Sequence, residues 1–175
     1  MDTKLRAKLI PFSLTAIILL LDQVSKAFIV AKWPKQGVFI SDVFNNDLLW
    51  IIHVRNKAIA FSLGDTLPGS LRTVFFIALP LIVLGLLVWY YLKTDEFVGL
   101  QRWAIAGIVG GGAGNLIDRI LRPDGVVDFI SVNFYGLFGL SRWPTFNVAD
   151  SSVVICGLGL FATVLFTSKN RIEEK

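Results

Sequence analysis

From Leu71 to Leu92 no charged side chain follows Arg72, and a helix of that length reaches about 33 Å, enough to cross the hydrocarbon core of a bilayer. That run constrains the chain more than any other feature. Pro80 inside it removes one backbone hydrogen bond and is expected to kink the helix, which membrane helices tolerate when neighbours cover the gap. Three further apolar runs, about 9–30, 103–121 and 148–168, bring the count to four. The first follows Lys4, Arg6 and Lys8 as a secretory leader would. It is longer than the roughly 7–15 residues of a leader's apolar core and continues through Asp22 and Lys26 toward Trp33, so we read it as a retained span.

The expected fold class is therefore an all-α polytopic membrane protein with four transmembrane helices, residues 1–175 forming a single membrane-embedded domain. A hydrophobic share of 54% over 175 residues agrees with this. The net charge of +4 is scattered rather than gathered in a stripe, which argues against nucleic acid and suits an anionic membrane surface. A lone Cys156 excludes an internal disulfide and sits in an apolar run, where packing is its expected role. With one histidine, His53, and no paired Cys or His ligands, neither a metal nor a cofactor is expected.

Trp89, Tyr90, Tyr91 and Trp103 flank the short turn between Lys93 and Arg102 and mark one membrane face; Trp33 and Trp143 lie near the other. Three cations within the first eight residues favour cytoplasmic termini. The two longer loops, about 31–70 and 122–147, then lie on the extracytoplasmic side. Alternation over Gly37–Ile40 and Leu48–Val54 predicts a small β-rich subdomain there.

Four antiparallel spans bring the end of the first, the end of the third and the start of the fourth to the same side. Those ends carry the chain's unusual polar residues. Asp22, Ser25 and Lys26 share a helix face, and Asp before Lys is the favourable order for an ion pair. Gly110, Gly111 and Gly114 let another helix approach closely; without a preceding strand and a terminal Gly-Lys-Ser/Thr they do not make a phosphate loop. Asn115, Asp118 and Arg119 follow, with Asn115 spaced to reach either neighbour and Arg119 expected to keep Asp118 ionised. Asp128 lies between valines and Phe129, an apolar setting that disfavours its charge. Asn147 is placed to cap the fourth helix, with Asp150 in its first turn where backbone amides stabilise negative charge. Two aspartates in such unlike surroundings can share one proton as an acid and base pair and cleave a peptide bond. Two other chemistries are weighed against this. A proton-coupled transporter would hold such groups deeper and show inverted repeats. A serine-lysine peptidase could use Ser25, Ser62 or Ser151 with Lys26 or Lys57, but no spacing singles out a pair.

The motifs DQVSK at 22–26, GGGAGNLIDR at 110–119, VVDF at 126–129 and FNVAD at 146–150 together resemble the lipoprotein signal peptidase (signal peptidase II) family, in that family's order along the chain. The resemblance implies an aspartic endopeptidase of the bacterial inner membrane that removes signal peptides from prolipoproteins, cutting before a diacylglyceryl-modified cysteine. Its catalytic pair falls on Asp128 and Asp150, with Asp118 as the runner-up. Asp22, Asn56, Asn115, Asp118, Arg119 and Asn147 match its other polar positions, and Lys26 is the partner of Asp22. The implied partners are the lipid-modified substrate and membrane lipids, and a monomer is expected. One position departs: the segment Asn56 to Phe61 carries Ala58 where the family has glycine, a site at which a positive φ would strain alanine. Loop 31–70 is expected to lie on the membrane and cover the scissile bond, with Trp50 and Phe61 contributing.

Overall fold

A computed structural model of the chain describes residues 3–56, 71 and 73–173. Helix α1, Thr3–Leu9, is separated from α2, Phe12–Lys32, by a turn at Ile10 and Pro11. The break follows from Pro11, which disfavours helical backbone at Ile10. Helix α3, Leu79–Lys93, is entered through a five-residue π turn, Val74–Ala78; α4 is Leu100–Leu121 and α5 is Val148–Glu173. Four helical stretches are long and apolar enough to span a membrane: Thr3–Lys32, Val74–Lys93, Leu100–Leu121 and Val148–Phe166. These match the four expected runs, with ends shifted by a few residues. The kink expected at Pro80 takes the form of the π turn. Pro80 offers no N–H to the carbonyl four residues back, and the chain widens just before it.

Helix α4 is the centre of the bundle, 61% buried across its apolar window against 22% or less for the other three. Apolar side chains gain little by leaving lipid for one another, so close approach of backbones decides which helices pack. The glycines supply that approach. A methyl added at Gly111 would collide with the carbonyl oxygen of Ala149 on α5, and one at Gly114 would stand 2.7 Å from Oδ2 of Asp22 on α2. Gly107 meets Cys156, which packs against it as expected of a small apolar side chain. Outward faces carry exposed Leu20, Val24, Leu86, Ile155, Leu158 and Phe161, a surface suited to acyl chains.

Beside the bundle lies an antiparallel sheet of order β1-β2-β3, with β1 at Val38–Asp42, β2 at Leu49–Asn56 and β3 at Val126–Val132. The first two are the expected strands. The third, within the connection 122–147, adds to the small sheet a strand that the sequence pattern did not reveal. It pairs Asp128 with Val54 and Val126 with Asn56, beyond a bulge between Ile51 and Val54. Ile29 of α2 packs with Val127 and Phe129 of β3, flanked by Trp33, Ile40, Ile51 and Val148. That cluster fastens the sheet to the ends of α2 and α5.

Candidate functional site

The site grows from one buried ion cluster. On α2, Lys26 Nζ lies 2.8 Å from Oδ2 of Asp22 one turn earlier and 3.2 Å from Oδ2 of Asp118 on α4, with all three side chains wholly buried. Its third contact is a hydrogen bond of 3.0 Å donated to Asn115 Oδ1. One cation between two carboxylates leaves a buried negative charge, which is costly unless compensated. Arg122 supplies the balance, pairing through Nη1 with Oδ1 of Asp118. Gln23 closes the cluster: its Nε2 donates to Asp22 Oδ2 at 3.0 Å, to Asp118 Oδ1 at 3.0 Å and to the carbonyl of Gly114 at 3.1 Å.

The same carboxylates fix the elements that carry the other polar residues. Asp118 Oδ2 accepts the backbone N–H of Val127 at 3.1 Å, tying β3 to α4. Asp22 Oδ1 accepts the backbone N–H of Ala149 at 3.0 Å, tying the start of α5 to α2. Where helices begin, free amides need acceptors. Here one comes from a neighbouring helix and another from within. Asn147 Oδ1 accepts the N–H of Asp150 at 2.9 Å, and Asp150 Oδ2 accepts the N–H of Asn147 at 3.1 Å, a reciprocal capping arrangement with aspartate in the third helical position.

Asn147 also brings the two candidate aspartates together. Its wholly buried amide donates from Nδ2 to Asp128 Oδ1 at 2.7 Å and reaches Asn115 Oδ1 at 3.1 Å, while its cap holds Asp150. Asn115 Nδ2 donates to the second oxygen of Asp150, Oδ1, at 2.7 Å, and Asn56 Nδ2 donates to Asp128 Oδ2 at 3.0 Å. Asp128 is 2% exposed. Burial, and then the negative charge of Asp150, push its carboxyl up to about 7, against the opposing pull of the hydrogen bonds from Asn56 and Asn147. A carboxyl poised there is divided between its protonated and ionised forms at neutral pH, as general acid and base work requires.

Asp22, Lys26, Asn56, Asn115, Asp118, Arg119, Asp128, Asn147 and Asp150 lie in or beside this network, though not all with the expected partners. Asn115 bonds neither Asp118 nor Arg119. The partner of Asp118 is Arg122, one turn on, rather than Arg119. Successive residues on a helix diverge by about 100°, so Arg119 forms no ion pair with Asp118 and feels the charge of Asp150 first, then those of Asp128 and Asp118. There it lines a cavity of about 160 Å³ with Asn56, Phe76, Ile77, Arg122 and Pro123, between the π turn and the end of α4. Sequence reasoning missed Gln23 and Arg122, although Arg122 carries a usable signal, its four-residue spacing from Asp118. The serine-lysine alternative loses its described candidates. Ser25 Oγ donates to the carbonyl of Asp22 and Ser151 Oγ to that of Asn147, each at 2.9 Å, while Lys26 is engaged by Asp22, Asp118 and Asn115. Lys57, Ala58, Phe61 and Ser62 lie outside the described residues. Trp50 is set in β2 with the Arg142 guanidinium 3.7 Å above its ring and Phe39 edge-on at 5.1 Å, so the described part of loop 31–70 is held in the sheet.

Comparison with known proteins places this arrangement. The sequence profile described as signal peptidase (SPase) II matches residues 14–166. The chain is 43% identical over 164 residues to the lipoprotein signal peptidase of Treponema pallidum (strain Nichols), covering 94% of this chain and 87% of that one. It is 46% identical over 153 residues to that of Treponema denticola, covering 86% of each. A bacterial membrane enzyme solved by the in meso method at 2.3 Å resolution matches with a TM-score of 0.75 and 31% identity, covering 91% of this chain and 90% of that one.

Proposed function

The chain belongs to the signal peptidase II family, and from that premise we propose that Asp128 and Asp150 are the pair with which it hydrolyses its substrate. The enzyme is a membrane aspartic endopeptidase that removes signal peptides from prolipoproteins. The observation that carries the assignment is the position of Asn147, whose amide and cap hold one oxygen of each carboxyl.

In the proposed mechanism Asp150 is the base. Two hydrogen bonds, from Asn147 N–H and Asn115 Nδ2, and the nearby guanidinium of Arg119 stabilise its negative charge. It takes a proton from water as the oxygen attacks the scissile carbonyl. Asp128, whose carboxyl retains a proton near neutrality, donates a hydrogen bond to that carbonyl oxygen as negative charge develops there. Collapse of the tetrahedral intermediate breaks the C–N bond, and the proton held by Asp150 passes to the leaving amine. Asp118 has a different part. Lys26, Arg122, Gln23 and the Val127 amide occupy both its oxygens, which makes it a positioning group.

The substrate is a signal peptide followed by a diacylglyceryl-modified cysteine, its acyl chains remaining in the bilayer while the bond is cut at the interface. Both termini lie in the cytoplasm and the site faces the extracytoplasmic side of the inner membrane, with loops 31–70 and 122–147 on that side; the enzyme acts as a monomer. Residues 1–175 act as one membrane-embedded peptidase domain. The test is cleavage of a diacylglyceryl-modified prolipoprotein by purified wild type, Asp128→Asn and Asp150→Asn, with Ser25→Ala and Ser151→Ala in parallel. Both aspartate variants lose cleavage and both serine variants keep it; full activity in either aspartate variant overturns the assignment.

A further inference from the structure

One side of the small sheet packs on the bundle and the other holds a groove. Ile40 and Ile51 join the cluster around Ile29 of α2, whereas Trp50, Ile52 and Val54, alternate residues of β2, turn to the other side. With Phe39 of β1 and Trp143 they line an open cavity of about 400 Å³. The strand register shifts between Phe39 and Ser41 and again between Ile51 and Val54, and such irregularities bend strands and re-aim side chains beside a site. Much of the apolar lining is accessible, Phe39 being 54% exposed and Trp143 40%. It is also fixed in place. Phe39 stands edge-on to Trp50, and the Arg142 guanidinium lies over the Trp50 ring. That guanidinium donates from Nε to Ser131 Oγ and from Nη2 to the Ser131 carbonyl, each at 2.8 Å, and from Nη1 to the carbonyl and carboxylate of Asp47 at 3.0 and 3.1 Å. Arg142 is therefore a wall of the groove. A concave apolar site whose side chains are already held binds with little ordering cost.

The place of the groove in the fold selects its occupant. Val54, in the lining, is the strand partner of Asp128, and Cα atoms so paired stand about 5 Å apart. Asn56, two residues on, donates to Asp128 Oδ2. The groove is thus continuous with the proposed catalytic pair. A substrate cut there keeps its signal peptide in the bilayer beside the bundle, so the departing chain passes the sheet, which is fastened to the ends of α2 and α5. From Val54 to Trp50 the strand covers about 13 Å, the length of about four residues of extended peptide. Resting on the peptidase reading above, we propose that this groove receives the segment that follows the modified cysteine, extended along β2 with its side chains against Phe39, Trp50, Ile52 and Trp143. The site recognises apolar side chains, and it makes the residues after the cysteine part of what the enzyme selects.

The test compares cleavage, by the purified full chain, of two diacylglyceryl-modified prolipoprotein peptides, one ending in the amidated cysteine and one continuing for four apolar residues. Wild type cuts the longer peptide with a kcat/KM about tenfold higher, chiefly through a lower KM. In Phe39→Ala/Trp143→Ala the ratio between the two peptides falls to about one, whereas Phe44→Ala, at an exposed position on the β1–β2 turn, keeps it. A folding defect lowers both rates and leaves the ratio alone. Trp143→Ala by itself serves if the double variant fails to fold, and it at least halves the ratio. The peptidase reading is scored separately, by loss of cleavage of both peptides in Asp128→Asn and Asp150→Asn. A second readout needs no turnover: in Asp128→Asn, a photoreactive side chain at the third position after the cysteine cross-links to the strands bearing Phe39 and Trp50 or to the segment bearing Trp143. Equal kcat/KM for the two peptides in wild type, an undiminished ratio in folded Trp143→Ala, or cross-linking of these segments by a photoreactive acyl chain in place of the peptide each overturns the proposal.

Discussion

Replacing Asn147 with alanine removes one side chain from two structures at once. The cap is lost, because Oδ1 no longer accepts the Asp150 N–H, at a cost of about 1 kcal/mol. Nδ2 no longer donates to Asp128 Oδ1, and a hydrogen bond to a buried carboxylate contributes about 1.5–3 kcal/mol. The global loss is thus about 2.5–4 kcal/mol, large beside the stability of a domain this size. The part on Asp128 has a second signature. Its bond from Asn147 stabilises the ionised form, so removing it shifts the Asp128 carboxyl further upward from about 7. If the same 1.5–3 kcal/mol is expressed in the transition state, kcat/KM falls between about tenfold and about a hundredfold at the optimum. The assay is cleavage of lipid-modified substrate from pH 5 to 9, with folding checked by thermal denaturation in the same detergent. Asn147→Ala shows the lower rate and a descending limb moved to higher pH. A folded variant with an unaltered pH profile would refute the coupling of Asn147 to Asp128, and a drop in rate that merely tracks unfolding would refute its catalytic consequence.

Other perturbations separate the tiers of the site. Lys26→Met leaves Asp22 and Asp118 buried without their shared cation, so stability falls by about 3–5 kcal/mol; Arg122→Met falls by less in a denaturation series, because Lys26, Gln23 and the Val127 amide still hold Asp118. The folded-state pKa of Asp128 lies above its ordinary value of 3.8, so its contribution favours folding at low pH and is lost as pH rises from about 4 through about 7; thermal melts of wild type fall across that window and those of Asp128→Asn are flatter. Because the proposed reaction needs Asp128 protonated, kcat/KM of wild type declines above pH 7, approaching tenfold per unit; a plateau to pH 9 would exclude that role. Gly114→Ala drives a methyl against Asp22 Oδ2 and Ala149 Cβ, costing about 1–3 kcal/mol and lowering cleavage with it, measured by melting and by rate.

How much of this was legible in the sequence depends on whether a feature has a period. The spans do, as apolar runs, and the pairs Asp22 with Lys26 and Asn147 with Asp150 follow from helical offsets of four and three. Strand β3 does not. Val126, Val127, Asp128 and Phe129 are all buried, so the two-residue alternation that revealed β1 and β2 is absent there. Burial on both sides hides the strand and also perturbs Asp128. Arg119 misled through adjacency, since its place next to Asp118 in the chain is a separation of about 100° around the helix, whereas Arg122 lies on the same face. Gln23 could not be foreseen from spacing, because its acceptors come from α2 and from a turn of α4 brought near by Gly114.

The buried ion cluster explains why the two reacting aspartates can sit at the end of a membrane bundle. A carboxyl there must be dry enough for its proton to be held near neutrality, yet supported by elements that do not shift when its charge changes. Asp128 and Asp150 arrive on a strand and on a helix start, elements that packing of apolar side chains alone would hold weakly in lipid. Lys26 solves this indirectly. By pairing with Asp22 and Asp118, it keeps an acceptor under the amide of Ala149 and another under that of Val127, and its third contact orients Asn115 toward Asp150. The fixed charges thus lie one layer from the bond to be broken and set backbone positions, while the asparagines pass those positions on as neutral hydrogen bonds. A titrating pair surrounded directly by Lys26 would be held ionised; separated from it by Asn115 and Asn147, Asp128 keeps a carboxyl that can exchange its proton.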